Sequence, residues 1–169
     1  MAILGVEELR REFDAGFARP VREAAEVSVE LLAIRVAGSP YALRITELGG
    51  VSAGHRITAV PSSHATLLGL LGVRGALVPV FDLARLLGES AGDEAPRWVA
   101  LSRGEQPLGL AFATVEGHLP VVASALTTGA AAGRGLAEHV VRFEGGLRPV
   151  VSVAKVASLL RDQSGPEAP

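Results

Sequence analysis

G-L-L-G-V-R-G-A-L-V-P-V-F-D-L-A-R-L-L, from Gly69 to Leu87, is the stretch that decides the fold. Two glycines bracket Arg74, the only charge between Arg56 and Asp82. An apolar run, Ala76–Phe81, then ends at Asp82, and Leu83, Leu86 and Leu87 follow at helical spacing. The pattern predicts a tight glycine-rich loop, a buried strand and a short helix capped by Asp82. An arginine in so apolar a context is either paired inside the fold or displayed to a partner. The residues alone leave that choice open.

Working outward, the chain before this stretch changes character once. Val6, Leu9, Phe13 and Phe17 recur at steps of three and four among charged residues, which predicts an N-terminal amphipathic helix within residues 1–28. It either packs on the domain or engages a partner. From Val29 the period becomes two, and Val29–Val36 and Tyr41–Ile45 read as a hairpin. Thr46–Gly50 reads as a short helical turn, His55–Val60 as a strand, and Ser62–Leu68 as a turn of helix. After the opening stretch, Gly88–Ala95 is a polar small-residue linker. Pro96–Ser102 and Leu108–Val115 form a second hairpin, and Gly117–Val122 continues in strand. Leu126–Gly135 reads as a flexible loop. Glu138–Phe143 and Leu147–Val151 form a further strand pair, 152–160 a final helix, and 164–169 a disordered tail.

The chain repeats itself. Gly75–Leu86 overlies Gly145–Val156 at an offset of 70, with identities at five of twelve positions. Asp82 and Ser152 are both good helix caps. Pro40–Leu43 overlies Pro107–Leu110 at an offset of 67. Half-buried strands this short do not make a stable open sheet, so each half is expected to curl into a small barrel, the two sharing a core. The expected division is 29–88 for the first barrel and 96–151 for the second, within a domain spanning 29–163.

Composition narrows function by exclusion. Of 16 basic residues 15 are arginine, the net charge is -2, and there is no basic tract for nucleic acid. No cysteine is present, which removes disulfide and thiolate chemistry. The uncharged runs are too short and too polar to enter a membrane, and the first residues do not read as a signal peptide, so a cytoplasmic protein is expected. His55, His64, His118 and His139 form no ligand pair. Gly69–Gly75 lacks the lysine and hydroxyl of a phosphate loop. No catalytic constellation is visible, and no metal or cofactor is expected. A binding or scaffolding role fits best.

At Gly69–Leu87 the sequence resembles the CheW family, adaptors of bacterial chemotaxis-type signalling. The family pattern there is roughly G-V-x-N-L-R-G-x-V-x-P-V-x-D-L. This chain supplies Gly69, Arg74, Gly75, Val78 on a conservative slide, Pro79, Val80, Asp82 and Leu83. Tyr41–Ile45, Ile57–Pro61 and Gly109–Val115 resemble further family landmarks. The motif asparagine is Gly72 here, the glutamate that ends the early helix falls at Gly50, and Ala113 and Ser152 replace two aspartates. The resemblance implies a mainly β fold of two five-stranded SH3-like barrels sharing a hydrophobic core. It implies no enzymatic activity. It implies two partners: the regulatory domain of a CheA-type histidine kinase and the cytoplasmic tip of a chemoreceptor. Leu71, Gly72, Val73, Arg74 and Gly75 would form the partner-binding surface. Gly69, Pro79, Asp82, Pro149 and Ser152 would be the structural motif. A module that has lost one partner, or one acting outside chemosensory signalling, stays open as an alternative.

Overall fold

The computed structural model describes residues 26–90 and 92–163. The N-terminal amphipathic pattern and the 164–169 tail lie outside these residues. The described residues form eleven strands in two sheets. They are β1 (Ser28–Val36), β2 (Ser39–Arg44), β3 (Leu48–Ala53), β4 (Leu67–Val73), β5 (Ala76–Asp82), β6 (Trp98–Ser102), β7 (Gly109–Phe112), β8 (Thr114–Val122), β9 (Leu126–Ala132), β10 (Ala137–Phe143) and β11 (Gly146–Val151). Two α-helices follow β5 and β11: α1 (Leu83–Leu87) and α2 (Val153–Gln163). One sheet has six strands in the order β8-β1-β2-β11-β10-β9, the other five in the order β3-β6-β7-β5-β4.

The opening stretch needs one correction. Gly69–Gly75 is not a loop. Its first five residues belong to β4, which pairs antiparallel with β5 from Leu67↔Phe81 to Val73↔Ala76. Only Arg74 and Gly75 turn, with φ of 47° and 82°. Both central residues at positive φ make this a type I′ hairpin turn, whose twist matches that of the strands. Gly69 serves a different purpose. It sits at a register shift with φ 150°, and a Cβ there would lie 2.2 Å from the Thr58 carbonyl oxygen. The backbone of Thr58 exchanges two hydrogen bonds of 2.9 Å with Leu70 across that contact. His55–Val60 therefore supplies one bridge to β4 rather than a strand, and Ser62–Leu68 runs into β4 rather than forming a helix. Likewise Thr46–Gly50 divides into a 3-10 turn, Ile45–Glu47, and the start of β3, and Leu126–Gly135 contributes β9.

The helix after β5 forms as expected. The Asp82 side chain accepts from the backbone N–H of Ala84 and Arg85, and Gly88 closes the helix at φ 74°. Ser152 caps α2 by accepting from Lys155 N at 3.3 Å.

The duplication is visible in three dimensions. The burial pattern of residues 71–80 recurs residue for residue in 141–150. Glu144 and Gly145 repeat the turn, with φ of 49° and 77°. The Asp82 N–H donates to Thr66 O, and the Ser152 N–H donates to Leu136 O. The bulge at Leu67/Gly69 returns at Ala137/His139. However, the contiguous division at residues 88 and 96 does not survive. Hairpin β1–β2 joins the six-stranded sheet through a parallel pairing of β2 with β11, and hairpin β6–β7 joins the other through β7 with β5. The halves exchange their hairpins. Each exchanged hairpin also pairs with the strand that follows its counterpart, β1 with β8 and β6 with β3.

Exchange explains the three apolar clusters. Leu31, Ala33, Ala42, Leu119, Val141 and Val150 fill one face of the six-stranded sheet. Leu71, Val80, Val99 and Ala111 do so for the five-stranded sheet. The largest cluster lies between the sheets, where Ile34, Leu43, Leu83, Leu110, Val151 and Val156 come from both halves and both helices. Burying these side chains contributes about 1.5–3 kcal/mol each, and neither half holds a complete set.

Candidate functional site

The type I′ turn lifts Arg74 to the tip of the β4–β5 hairpin, where it is exposed. Among the described residues its guanidinium has no hydrogen-bond or ion-pair partner. Of the two readings open in the sequence, pairing inside the described fold is not seen, and Arg74 stands exposed. Gly72 and Gly75 are exposed beside it and Val73 is half-buried. Leu71 is not part of this surface. It is 3% exposed, because period-two alternation turns it into the core of the five-stranded sheet.

One neighbour carries no sequence motif: Leu77, 73% exposed. Its cross-strand partner is Gly72, so no cross-strand side chain lies beside it. In the second copy the equivalent Leu147 faces Arg142 across the pair. The glycine standing at the motif's asparagine position was the available signal. Ala76 and Leu77 line an open groove of about 1140 Å³ between β5, the Ser102–Leu108 loop and helix α2. Pro79 and Phe81 continue its floor, and Arg103 and Arg161 lie on its lining. Glu47 also lines it, and its Oε2 accepts from Val153 N at 2.9 Å, fastening the start of α2. Thus the acid near the end of the early 3-10 turn is Glu47, and Gly50 lies in β3.

The remaining motif residues sit apart from the tip as scaffold. Gly69 is buried against Thr58, Asp82 and Ser152 cap helices, and Pro79 and Pro149 occupy equivalent half-buried positions in β5 and β11. A second charged cluster was missed altogether. Arg148 is 5% exposed, and its Nη1 donates to Ile34 O at 3.1 Å and Tyr41 O at 2.9 Å. Its Nη2 meets Glu116 at 2.6 Å, and Arg35 meets the same carboxylate at 2.6 Å. The guanidinium also lies 5.7 Å from the centre of the Phe143 ring. Burial pushes the Glu116 carboxyl up, but hydrogen bonds and charge from Arg148 and Arg35 outweigh it and hold it below the usual carboxylate range. Arg148 stands where the repeat has Val78, which was the only clue in the sequence. On the other side of the hairpin, Tyr41 donates to Glu89, and burial followed by that carboxylate raises the phenol above its ordinary value.

Among the described residues no group of three His, Cys, Asp or Glu side chains is placed to hold a metal ion, and no helix is long and apolar enough to cross a membrane. The site is thus a duplicated β scaffold bearing, among the described residues, an exposed and unpaired arginine beside an open groove. The chain belongs to the CheW-like domain family, whose sequence profile matches residues 30–163. That family places it with non-enzymatic chemotaxis scaffolds. It is similar to a probable chemotaxis protein CheW of Rhizobium etli, with 33% identity over 72 residues. That match covers 43% of this chain and 46% of the relative, less than half the length of either. In fold it resembles the scaffolding protein TtCheW from Thermoanaerobacter tengcongensis, with a TM-score of 0.68 at 17% identity. The alignment covers 75% of this chain and 90% of the other, so the likeness carries the two-subdomain SH3-like architecture.

Proposed function

We propose that this chain is a coupling adaptor that binds the regulatory domain of a CheA-type histidine kinase and the cytoplasmic tip of a chemoreceptor. Receptor state would then control kinase autophosphorylation through it. Family membership supports the pathway, and the unpaired Arg74 at an exposed hairpin tip beside Leu77 is the observation that carries the reading. An arginine offers five donors in a planar fork suited to a carboxylate, and the neighbouring leucine adds apolar area at low entropic cost. The test is retention of the purified chain on its own organism's kinase regulatory domain and receptor tip, with Arg74→Glu as the matched variant. Wild-type chain is retained, and the variant loses at least one partner with its melting temperature unchanged. Retention on neither partner at tens of micromolar rejects the proposal, and a large fall in melting temperature on Arg74→Glu makes the arginine structural.

A further inference from the structure

The duplication leaves a second hairpin tip that the adaptor reading does not use. Hairpin β10–β11 turns at Glu144 and Gly145 as β4–β5 turns at Arg74 and Gly75, with first-position φ of 49° and 47°. Leu147 stands where the first copy has Leu77, and the two are 62% and 73% exposed. We infer that the two tips recognise each other between molecules: the Arg74 and Leu77 tip of one copy docks head to tail on the Glu144 and Leu147 tip of a second copy of this chain.

Three observations carry this. The first is charge. Arg74 and Glu144 are both exposed, and neither has a hydrogen-bond or ion-pair partner among the described residues. They hold opposite charges at equivalent positions of the repeat. Like tips set together bring arginine to arginine or glutamate to glutamate. Unlike tips bring a guanidinium fork to a carboxylate.

The second is apolar area. A single exposed leucine needs no explanation. Here the same position is exposed in both copies, each time beside an unpaired charge, which makes two matching patches. The third is shape. Leu77 faces Gly72 across its hairpin, while Leu147 faces Arg142. A Cβ at Gly72 would meet nothing within 4 Å. One tip is therefore open where the other carries a long side chain. On docking, Arg142 has room above Gly72 and lays its aliphatic stem along Leu77.

A contact between unlike tips leaves one tip of each kind free on a pair. Association therefore continues to a closed ring or an open chain. The tips are small, so it is weak and expected at chain concentrations on the order of 0.1–1 mM. It also occupies Arg74 and so competes with the partner proposed above. That consequence rests on the adaptor reading, whereas the self-association does not.

The test is sedimentation velocity on the complete chain as wild type, Arg74→Glu, Glu144→Arg and the double variant. Each copy already holds the other residue type at the same turn φ, so the substitutions suit the backbone, and melting temperatures verify this. The wild-type average mass should rise with concentration and fall back in about 0.5 M salt. Each single reversal should weaken association about 5–10-fold. The double variant restores the pair with its charges exchanged and should recover it. Mixing the two single variants should also recover it, since one carries glutamate on both tips and the other arginine. A wild-type chain that stays monomeric at about 1 mM overturns the inference. So do single reversals that leave association unchanged, which assign it to another surface, and a double variant or a mixture that fails to recover. No kinase or receptor is needed, so this failure is distinct from failure of the adaptor reading.

Discussion

Replacing Arg148 with methionine should cost about 2–4 kcal/mol, and the reason lies in carbonyl groups more than in the ion pair. The side chain is 7% exposed, while that of Glu116 is 26% exposed and keeps Arg35 as a second partner. Coulombic loss on the carboxylate side is therefore screened and worth about 1 kcal/mol or less. The Nη1 donor is another matter. It serves Ile34 O and Tyr41 O, cross-strand partners in hairpin β1–β2. Pro149, next in β11, has no N–H to offer the neighbouring strand. Each carbonyl keeps its ladder bond within the Ile34–Tyr41 pair but loses a hydrogen bond to a charged donor, worth about 1.5–3 kcal/mol each. Against this, methionine keeps apolar contact with Phe143 and removes a buried guanidinium whose Nε has no hydrogen-bond partner. That offsets part of the loss and leaves a net near 3 kcal/mol. The melting temperature should fall by about 6–12 °C. Chemical denaturation of Arg148→Met, Glu116→Gln and the double variant measures it directly. The expected coupling between the two sites is about 1 kcal/mol. A fully stable Arg148→Met, or a coupling as large as the whole loss, would refute the carbonyl argument.

Further expectations follow from the same geometry. Arg74→Asn should stabilise the chain by about 0.5–1 kcal/mol in denaturant titration, because asparagine tolerates the left-handed turn position better than arginine, while kinase-domain or receptor binding weakens. Gly69→Ala should cost more than about 2 kcal/mol, since its Cβ would meet Thr58 O at 2.2 Å, whereas Gly72→Ala meets nothing within 4 Å and should stay within about 0.5 kcal/mol of wild type. Asp82→Ala should cost about 1 kcal/mol through loss of the bonds to Ala84 and Arg85, read as a shifted denaturation midpoint. The folded-state carboxyl of Glu116 lies below its ordinary value of 4.5, so its contribution is present above that pH and is lost as pH falls through the lower folded value. Below pH 4.5 wild type should therefore lose stability more steeply than Glu116→Gln in pH-dependent denaturation.

Much of this arrangement is legible in the chain. The alternation of Val29–Val36, the cap at Asp82 and the glycine at 88 report local physics, and local physics decides them. The errors have causes of the same kind. Glycine density made Gly69–Gly75 look like a loop, yet Gly69 is there because the Thr58 backbone passes too close for any side chain. The inward sequence of Leu71 and Val73, two apart, was the better signal. In β9, Leu126–Ala132, the composition is poor for a strand, and pairing with β10 overrides it. No local rule names a pairing partner, so hairpin exchange could not be read from periodicity.

The duplication also separates charges that hold the fold from charges free for a partner. Arg74 and Glu144 occupy equivalent turns with φ of 47° and 49°, and both are exposed. Opposite charges serve the same backbone there, so the fold does not select either. Arg148 and Val78 are also equivalent, at 5% and 2% exposure, but here the difference is used. Arg148 ties hairpin β1–β2 to the strands of the other half through Ile34 O, Tyr41 O and Glu116, and Glu116 itself occupies the bulge position where the first copy has Gly49. The five-stranded sheet seats its exchanged hairpin without a buried arginine, through the β7–β5 and β6–β3 pairings, while Leu108 N–H on Ser102 Oγ and Ser102 N–H on Leu108 O close the hairpin itself. One copy thus spends its arginine on the interior, while the other leaves its arginine on the tip. Among the described residues the fold neither buries, pairs nor repeats Arg74, and this is what supports the partner-facing role proposed for it.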